Sequence, residues 1–251
     1  MRTHSRLTAR FKQGLRETIA ALGLVTLALW LTSPVQGDQK VNEAAAMMRE
    51  AHDGRATWTN FPGFHAKVRC HVDGTAVEGD LTVTPSGDME CLLDKSEKFS
   101  WVERTLDSVI GHRLSDGEAI TNVGFADNDT RHPQGRLIKS RDPAEKSLWR
   151  AKGDVLTEVH RIGKDSHLVI SIVDVWRTAE GKHLPKSFVV TKSKRPGGEI
   201  ESVREVYNEW KRVGSIDLPT LHRAVTTRAD GTRVTHQIEF DNYSIPLAAG
   251  R

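Results

Sequence analysis

The chain has 251 residues, 37% of them hydrophobic and 27% charged, with a net charge of +3. Five Lys/Arg and one Glu fall within the first 37 residues, so the rest of the chain carries −1, which gives no electrostatic case for nucleic acid or an acidic membrane surface. The remainder is long enough for a real core and shows no Ser/Gly-rich linker, internal repeat or low-complexity tract, so one domain is expected.

Met1–Gly37 reads as a secretory signal peptide. Arg2, Arg6, Arg10, Lys12 and Arg16 form a basic start, and Ile19–Leu31 is apolar apart from Gly23 and Thr26. That run is short against the ~20 residues of a membrane span. Val35 and Gly37 are small enough for cleavage before Asp38. The alternative is an uncleaved anchor. Residues 38–251 are then expected as one β-rich domain in the periplasm or outside the cell.

Val41, Ala44, Ala45 and Met48 share one helical face, so a helix is predicted over Val41–His52, stopped by a left-handed cap at Asp53-Gly54. Asn60-Phe61-Pro62-Gly63 forces a turn. The period then drops to two: Phe64, Ala66, Val68, Cys70 and Val72 alternate with His65, Lys67, Arg69 and His71. Asp73-Gly74 is a hairpin signal, followed by a strand over about Thr75–Thr84 and another over Met89–Leu93. Two cysteines in an exported chain suggest a disulfide. If the first three strands form a meander, however, Cys70 and Cys91 lie two strands apart, about 10 Å, beyond disulfide reach. Two unpaired thiols are therefore expected, unless the strand order differs.

Lys95–His112 reads as a helix with Phe99, Val102, Leu106, Val109 and Ile110 on one stripe and Trp101 off it. Strands follow over Ala119–Phe125, weakly over Arg136–Lys139 and Leu148–Ala151, then Asp154–Arg161 and His167–Trp176. The last is apolar on both sides: Leu168, Ile170, Ile172 and Trp176 against Val169, Val173 and Val175, which predicts cover on both faces. Lys186–Thr191, Glu201–Lys211, Leu221–Arg228 and Thr232–Tyr243 complete the chain, with Pro219 ahead of the third. The expected class is α+β, mainly β. It is a curved antiparallel sheet of about ten or eleven strands, a half-barrel, covered by a few helices.

The order of leader, helix, strand ending in Asp73-Gly74, then Gly79-x-Leu81-x-Val83 and a long antiparallel run resembles the LolA/LolB-like lipoprotein-carrier half-barrel. In that family a curved sheet closed by helices holds acyl chains in an apolar cavity. Trp58-Thr59-Asn60-Phe61-Pro62-Gly63-Phe64-His65-Ala66 resembles the opening signature of an uncharacterised bacterial domain family of unknown function, as do the spacings of Val206-Tyr207 and Leu218-Pro219. That second resemblance implies the fold and no activity.

Nucleotide-binding glycine loops, a nucleophile elbow, His-Glu-x-x-His and Cys-x-x-Cys are all missing from the sequence. Ten histidines follow the leader, and His65 with His71, and Glu158 with His160, share strand faces. No pair has metal-ligand spacing, so neither metal nor cofactor is expected and no catalytic residue is assigned. Asp127-Asn128-Asp129 lacks the rest of a calcium loop. Asp174, between Ile172 and Trp176, is expected as a buried carboxylate in an ion pair. Trp58, Phe61, Phe64, Trp101, Trp149 and Trp176 are the candidates to line a cavity. Three functions stay open. The leading one is an exported non-enzymatic protein binding a lipid or other apolar ligand as a monomer. The others are a solid-cored envelope protein with a protein partner, and a metal-dependent enzyme using His and carboxylate.

Overall fold

Asp73 and Gly74 both take positive φ, 47° and 77°, and close a two-residue hairpin between the first two strands. That hairpin opens the sheet. The structure, a computed structural model, describes residues 36–93, 97–114, 117 and 119–246. Apart from Gln36 and Gly37, the predicted leader lies outside the described residues.

Helix α1 (Gln36–Asp53) begins five residues before the predicted start at Val41. Twelve strands follow: β1 (Phe64–Val72), β2 (Thr75–Val83), β3 (Met89–Leu92), β4 (Val123–Phe125), β5 (Arg136–Ser140), β6 (Leu148–Lys152), β7 (Val155–Ile162), β8 (His167–Arg177), β9 (His183–Ser193), β10 (Ile200–Val213), β11 (Ile216–Arg228) and β12 (Arg233–Ser244). They form one open, curved antiparallel sheet in the order β3-β2-β1-β12-β11-β10-β9-β8-β7-β6-β5-β4. The count exceeds the expected ten or eleven because both weak segments, β5 and β6, pair on both sides, β6 with one register shift against β7 between Arg150 and Ala151.

This order puts β3 on one edge and β4 on the other. A flat sheet of this width would span about 50 Å at ~4.8 Å per strand, so the connection between them must cross the sheet face. That connection carries a turn of 3-10 helix (Glu97–Phe99), helix α2 (Trp101–Leu106) and a π-helical turn (Asp107–Gly111). The predicted straight helix over Lys95–His112 is therefore three windings, and residues 94–96 lie outside the description. Its stripe is buried as expected: Phe99, Val102, Leu106, Val109 and Ile110 all face inward.

The core has two main parts. Phe99, Val102, Leu106 and Ile110 pack on the inner face of β1, β2 and β12, against Val68, Cys70, Leu81, Ile238 and Phe240. Ala44, Ala45, Met48 and Ala51 of α1 pack on Val123, Ile138, Trp149 and Ala151 at the other end. A helix thus covers each end of the sheet. Between them, the inner faces of β7–β10 are only partly covered, by the edge of α1 against Leu156 and Val159 of β7 and by Val109 of the π-helical turn against Leu184 and Trp210.

Strand β8 departs from expectation. Its outer face is uncovered, with Val173 69% exposed. Register shifts between Ile172 and Asp174 and between Asp174 and Val175 move Val175 in beside Ile170 and Ile172 and turn Trp176 outward. Asp174 is likewise on the surface, not buried, and pairs with Lys186 at 2.8 Å. Strand β11 starts earlier than predicted and includes Pro219, whose position lies beyond the β12 ladder, where no amide is needed for pairing.

Cys70 is buried on β1 and Cys91 lies on β3 with β2 between them; both are free thiols. Burial pushes the Cys70 thiol up to about 12 and Cys91 up to about 11.

Candidate functional site

The inner face between the two helix-covered ends is hollow. A cavity of about 280 Å³ sits there, close to the lower limit of ~300 Å³ for ligand pockets. Val155, Leu156 and Val159 of β7, Ile170, Ile172 and Val175 of β8, Phe188 of β9 and Trp210 of β10 form its apolar walls. Trp149 of β6 closes one side, and Ser108 and Val109 of the π-helical turn form the roof. The extra residue of a π turn re-aims side chains, which brings Val109 down onto Leu184 and Trp210.

Polar groups punctuate this surface. Arg55, Arg113 and Arg161 line it, with His112, His183, Asn208 and His222; no Asp or Glu is among the described lining residues. His183 is 6% exposed and is also held through its backbone, which bonds Gly54 O at 2.9 Å and Ala56 N at 2.8 Å. These bonds fix the linker from α1 across the sheet. Burial lowers the His183 pKa to about 4; Asp154 opposes the shift, and Arg177, Arg113 and Arg55 add to it. His222 is 3% exposed, and its pKa falls to about 3 through burial first, then Arg204 and His236. Both imidazoles are neutral at pH 7.

A larger open groove of about 650 Å³ lies beside Arg55, Trp58 and Arg212. Its charges answer one another: Arg212 holds Asp217 at 2.8 Å and Glu180 at 3.1 Å. Such paired charges leave less for a ligand than the apolar hollow does.

Of the six aromatic residues singled out from sequence, only Trp149 lies on the cavity wall. Trp58, Phe61 and Phe64 pack into one another in the core beside β1: Trp58 stacks on Phe61 at 4.7 Å, and Phe64 meets both rings edge-on. Trp101 stacks on His236 at 4.3 Å. Trp176 is on the outside. The rest of the wall is built from branched aliphatic residues of β7 and β8, which the two-sided pattern of β8 signalled, together with Phe188 and Trp210, and only strand pairing could place them.

The paired histidines have structural partners. His65 meets Thr82 at 2.9 Å, and His71 approaches Glu239 at 3.5 Å. Glu158 lies 3.6 Å from His160 but also takes a hydrogen bond from Arg150 at 3.0 Å. Asp127 faces Arg136 and Arg150 at 3.9 and 3.7 Å. Among the described residues, no three His, Cys, Asp or Glu side chains are grouped so as to hold a metal ion.

With this geometry in hand, comparison with known proteins places the chain. A family model described as "Protein of unknown function (DUF3386)" matches residues 39–245. The chain belongs to the DUF3386 family. The match bears out the resemblance carried by Trp58–Ala66, and the described DUF3386 fold accounts for nearly the whole matched span. No curated protein matches the chain. Among solved structures, a LolA superfamily protein from Nitrosomonas europaea is similar over 82% of this chain and 94% of its own, at 8% identity and a TM-score of 0.32.

Proposed function

We propose that this DUF3386 chain is an exported, non-enzymatic binding protein that holds a lipid or other apolar ligand on the concave side of its half-barrel. One observation carries the reading: the sheet is sealed by a helix at each end, and the stretch between is an apolar hollow. A domain that needed only a solid core would fill this space, because a void forfeits contacts on every wall. Burial supplies the affinity, at about 0.8 kcal/mol for each methylene removed from water, so a chain needs few polar contacts.

Export rests on the leader pattern of Met1–Gly37. No helix among the described residues is long and apolar enough to cross a membrane. N-terminal sequencing of protein recovered from an expressing cell is expected to begin at Asp38; a start at Met1 would overturn the leader.

Native mass spectrometry of the gently purified chain tests the binding function. Adducts in the mass range of lipids are expected. Ile172→Trp and Val159→Trp, which fill the hollow, are expected to keep the circular-dichroism spectrum and lose the adducts. A clean apo mass, together with no uptake of the apolar dye 1-aminoanthracene, would overturn the proposal and leave the solid-cored partner-binding alternative.

A further inference from the structure

The hollow does not end in apolar wall on every side. At His222 the inner face becomes basic. His222 Nδ1 lies 2.8 Å from Asn208 Oδ1, and Asn208 Nδ2 donates to Pro185 O at 3.0 Å. The amide is thereby oriented with its oxygen toward the ring, so the His222 proton sits on Nδ1. Nε2 is left as a buried acceptor with no partner among the described residues.

Strand register arranges further nitrogen groups around it. Ala224, two residues on, pairs with Val206 on one side and His236 on the other. Arg204, two residues before Val206, lies on the same face. His222, His236 and Arg204 therefore stand around Ala224, which is fully buried and has the smallest side chain that a strand position can carry short of glycine. Helix α2 roofs this spot with Trp101, stacked on His236 at an interplanar angle of 12°. Trp101 Nε1 and Arg204 Nε are also buried without a hydrogen-bond partner among the described residues. Three such groups on neighbouring positions are costly when left unmet. The charges are of one sign. Burial and then Arg104 lower the Arg204 pKa, and His222 and His236 both feel Arg204; at His236, Asp73 acts against it.

We propose that this cluster is the head-group site of the cavity and takes the oxyanion of a single-chain amphiphile, a long-chain carboxylate. The inference rests on the cavity reading above. Trp101 Nε1–H and Arg204 Nε–H donate to the head. His222 Nε2 shares the remaining proton, held either as carboxylic acid against imidazole or as carboxylate against imidazolium. The chain then runs past His222, which lines the cavity, toward Phe188 and Ile172. A phosphate monoester offers the same chemistry; an ester head has neither the charge nor the proton.

Fluorescence titration of the purified chain with cis-parinaric acid and with its methyl ester tests the site. The acid is expected to bind about tenfold more tightly or better, the difference made by charge-assisted hydrogen bonds. Arg204→Gln is expected to abolish that preference and leave ester binding within about twofold; Arg204→Lys keeps the preference, and Trp101→Phe reduces it with the fold intact. Dodecyl phosphate is expected to displace the acid, and inorganic phosphate at the same concentration is not. Equal binding of acid and ester, unchanged by Arg204→Gln, would remove the head-group site and leave the cavity standing. Binding of neither probe would remove the cavity reading itself. Displacement by inorganic phosphate would make this a site for a free anion and overturn the amphiphile.

Discussion

Gly54 shows how much one residue's environment matters. It ends α1, and the sequence suggests a left-handed cap there, yet Gly54 is not among the glycines with positive φ. Its role is close approach. A Cβ at Gly54 would sit 2.2 Å from Asp154 O and 2.7 Å from Asp154 Cβ, where neither neighbour is a flexible side-chain end. Gly74 is the reverse case, with φ +77° and nothing within 4 Å of an added Cβ. Gly54→Ala is therefore expected to destabilise by about 1–3 kcal/mol through overpacking, and Gly74→Ala by about 1 kcal/mol through backbone strain. Thermal melts of the two variants check the ranking; equal shifts would refute the close contact. The cysteines give a second test at this scale. With their pKa values pushed up to about 12 and 11, neither Cys70 nor Cys91 is a thiolate at pH 8. A disulfide-exchange reagent is expected to titrate both in denaturant and react far more slowly with the folded chain. Fast reaction of the folded chain at either position would contradict the burial.

Among the elements, the linker between α1 and β1 does more than connect. Trp58 stacks on Phe61, meets Phe64 edge-on, and donates from Nε1 to Asp217 O at 3.2 Å, so one side chain ties the linker to β1 and to the start of β11. Trp58→Ala is expected to cost about 3–5 kcal/mol, the range for removing a buried aromatic, and to lower the urea midpoint without changing the slope. A loss below about 1 kcal/mol would mean that the aromatic cluster relaxes freely. Local patterns of this kind were readable. The alternation of β1, the Asp73-Gly74 turn and the stripe from Phe99 to Ile110 all follow from side-chain period, and each is found in place. Breaks in the period were not readable. The double register shift in β8 puts Val175 inside and Trp176 outside, against their spacing in sequence, because a bulge resets the alternation without a distinctive residue to mark it. The π-helical turn after Leu106 was hidden for the same reason: its residues keep the apolar stripe while the winding changes.

For the whole molecule, the decisive feature is the pairing of β1 with β12, which joins the two ends of the described chain and leaves β3 and β4 as edges. Those edges are short, four and three residues, which limits edge-to-edge association. No local signal announces a pairing between positions so far apart, and the cavity depends on it, since it sends both linkers across the concave face. The inner histidines make that arrangement sensitive to acid. His183 and His222 have folded-state pKa values of about 4 and about 3, below the ordinary 6.5. The unfolded chain thus binds protons at these sites that the folded chain does not. Their contribution to stability is complete above pH 6.5 and is lost as pH falls from there toward 4 and 3. At pH 5 both rings are still neutral in the fold, so each has lost about 2 kcal/mol, and the pair about 4 kcal/mol, of a typical total of ~5–15 kcal/mol. Carboxylates such as Asp154 and Glu180, held low by Arg177 and Arg212, act in the same direction only at lower pH, below their ordinary 3.8 and 4.5. Urea midpoints are therefore expected to be level from pH 8 to 7 and to fall between pH 6.5 and 5, ahead of the carboxylate range. His183→Gln and His222→Gln each shift the overall stability, but each is also expected to remove part of this fall, to which His167 and His236, also held below the ordinary 6.5 by burial first, add in the same direction. A profile that stays flat to pH 5 in the unaltered chain would show that the two rings charge freely inside the fold, and so that water reaches the hollow they line.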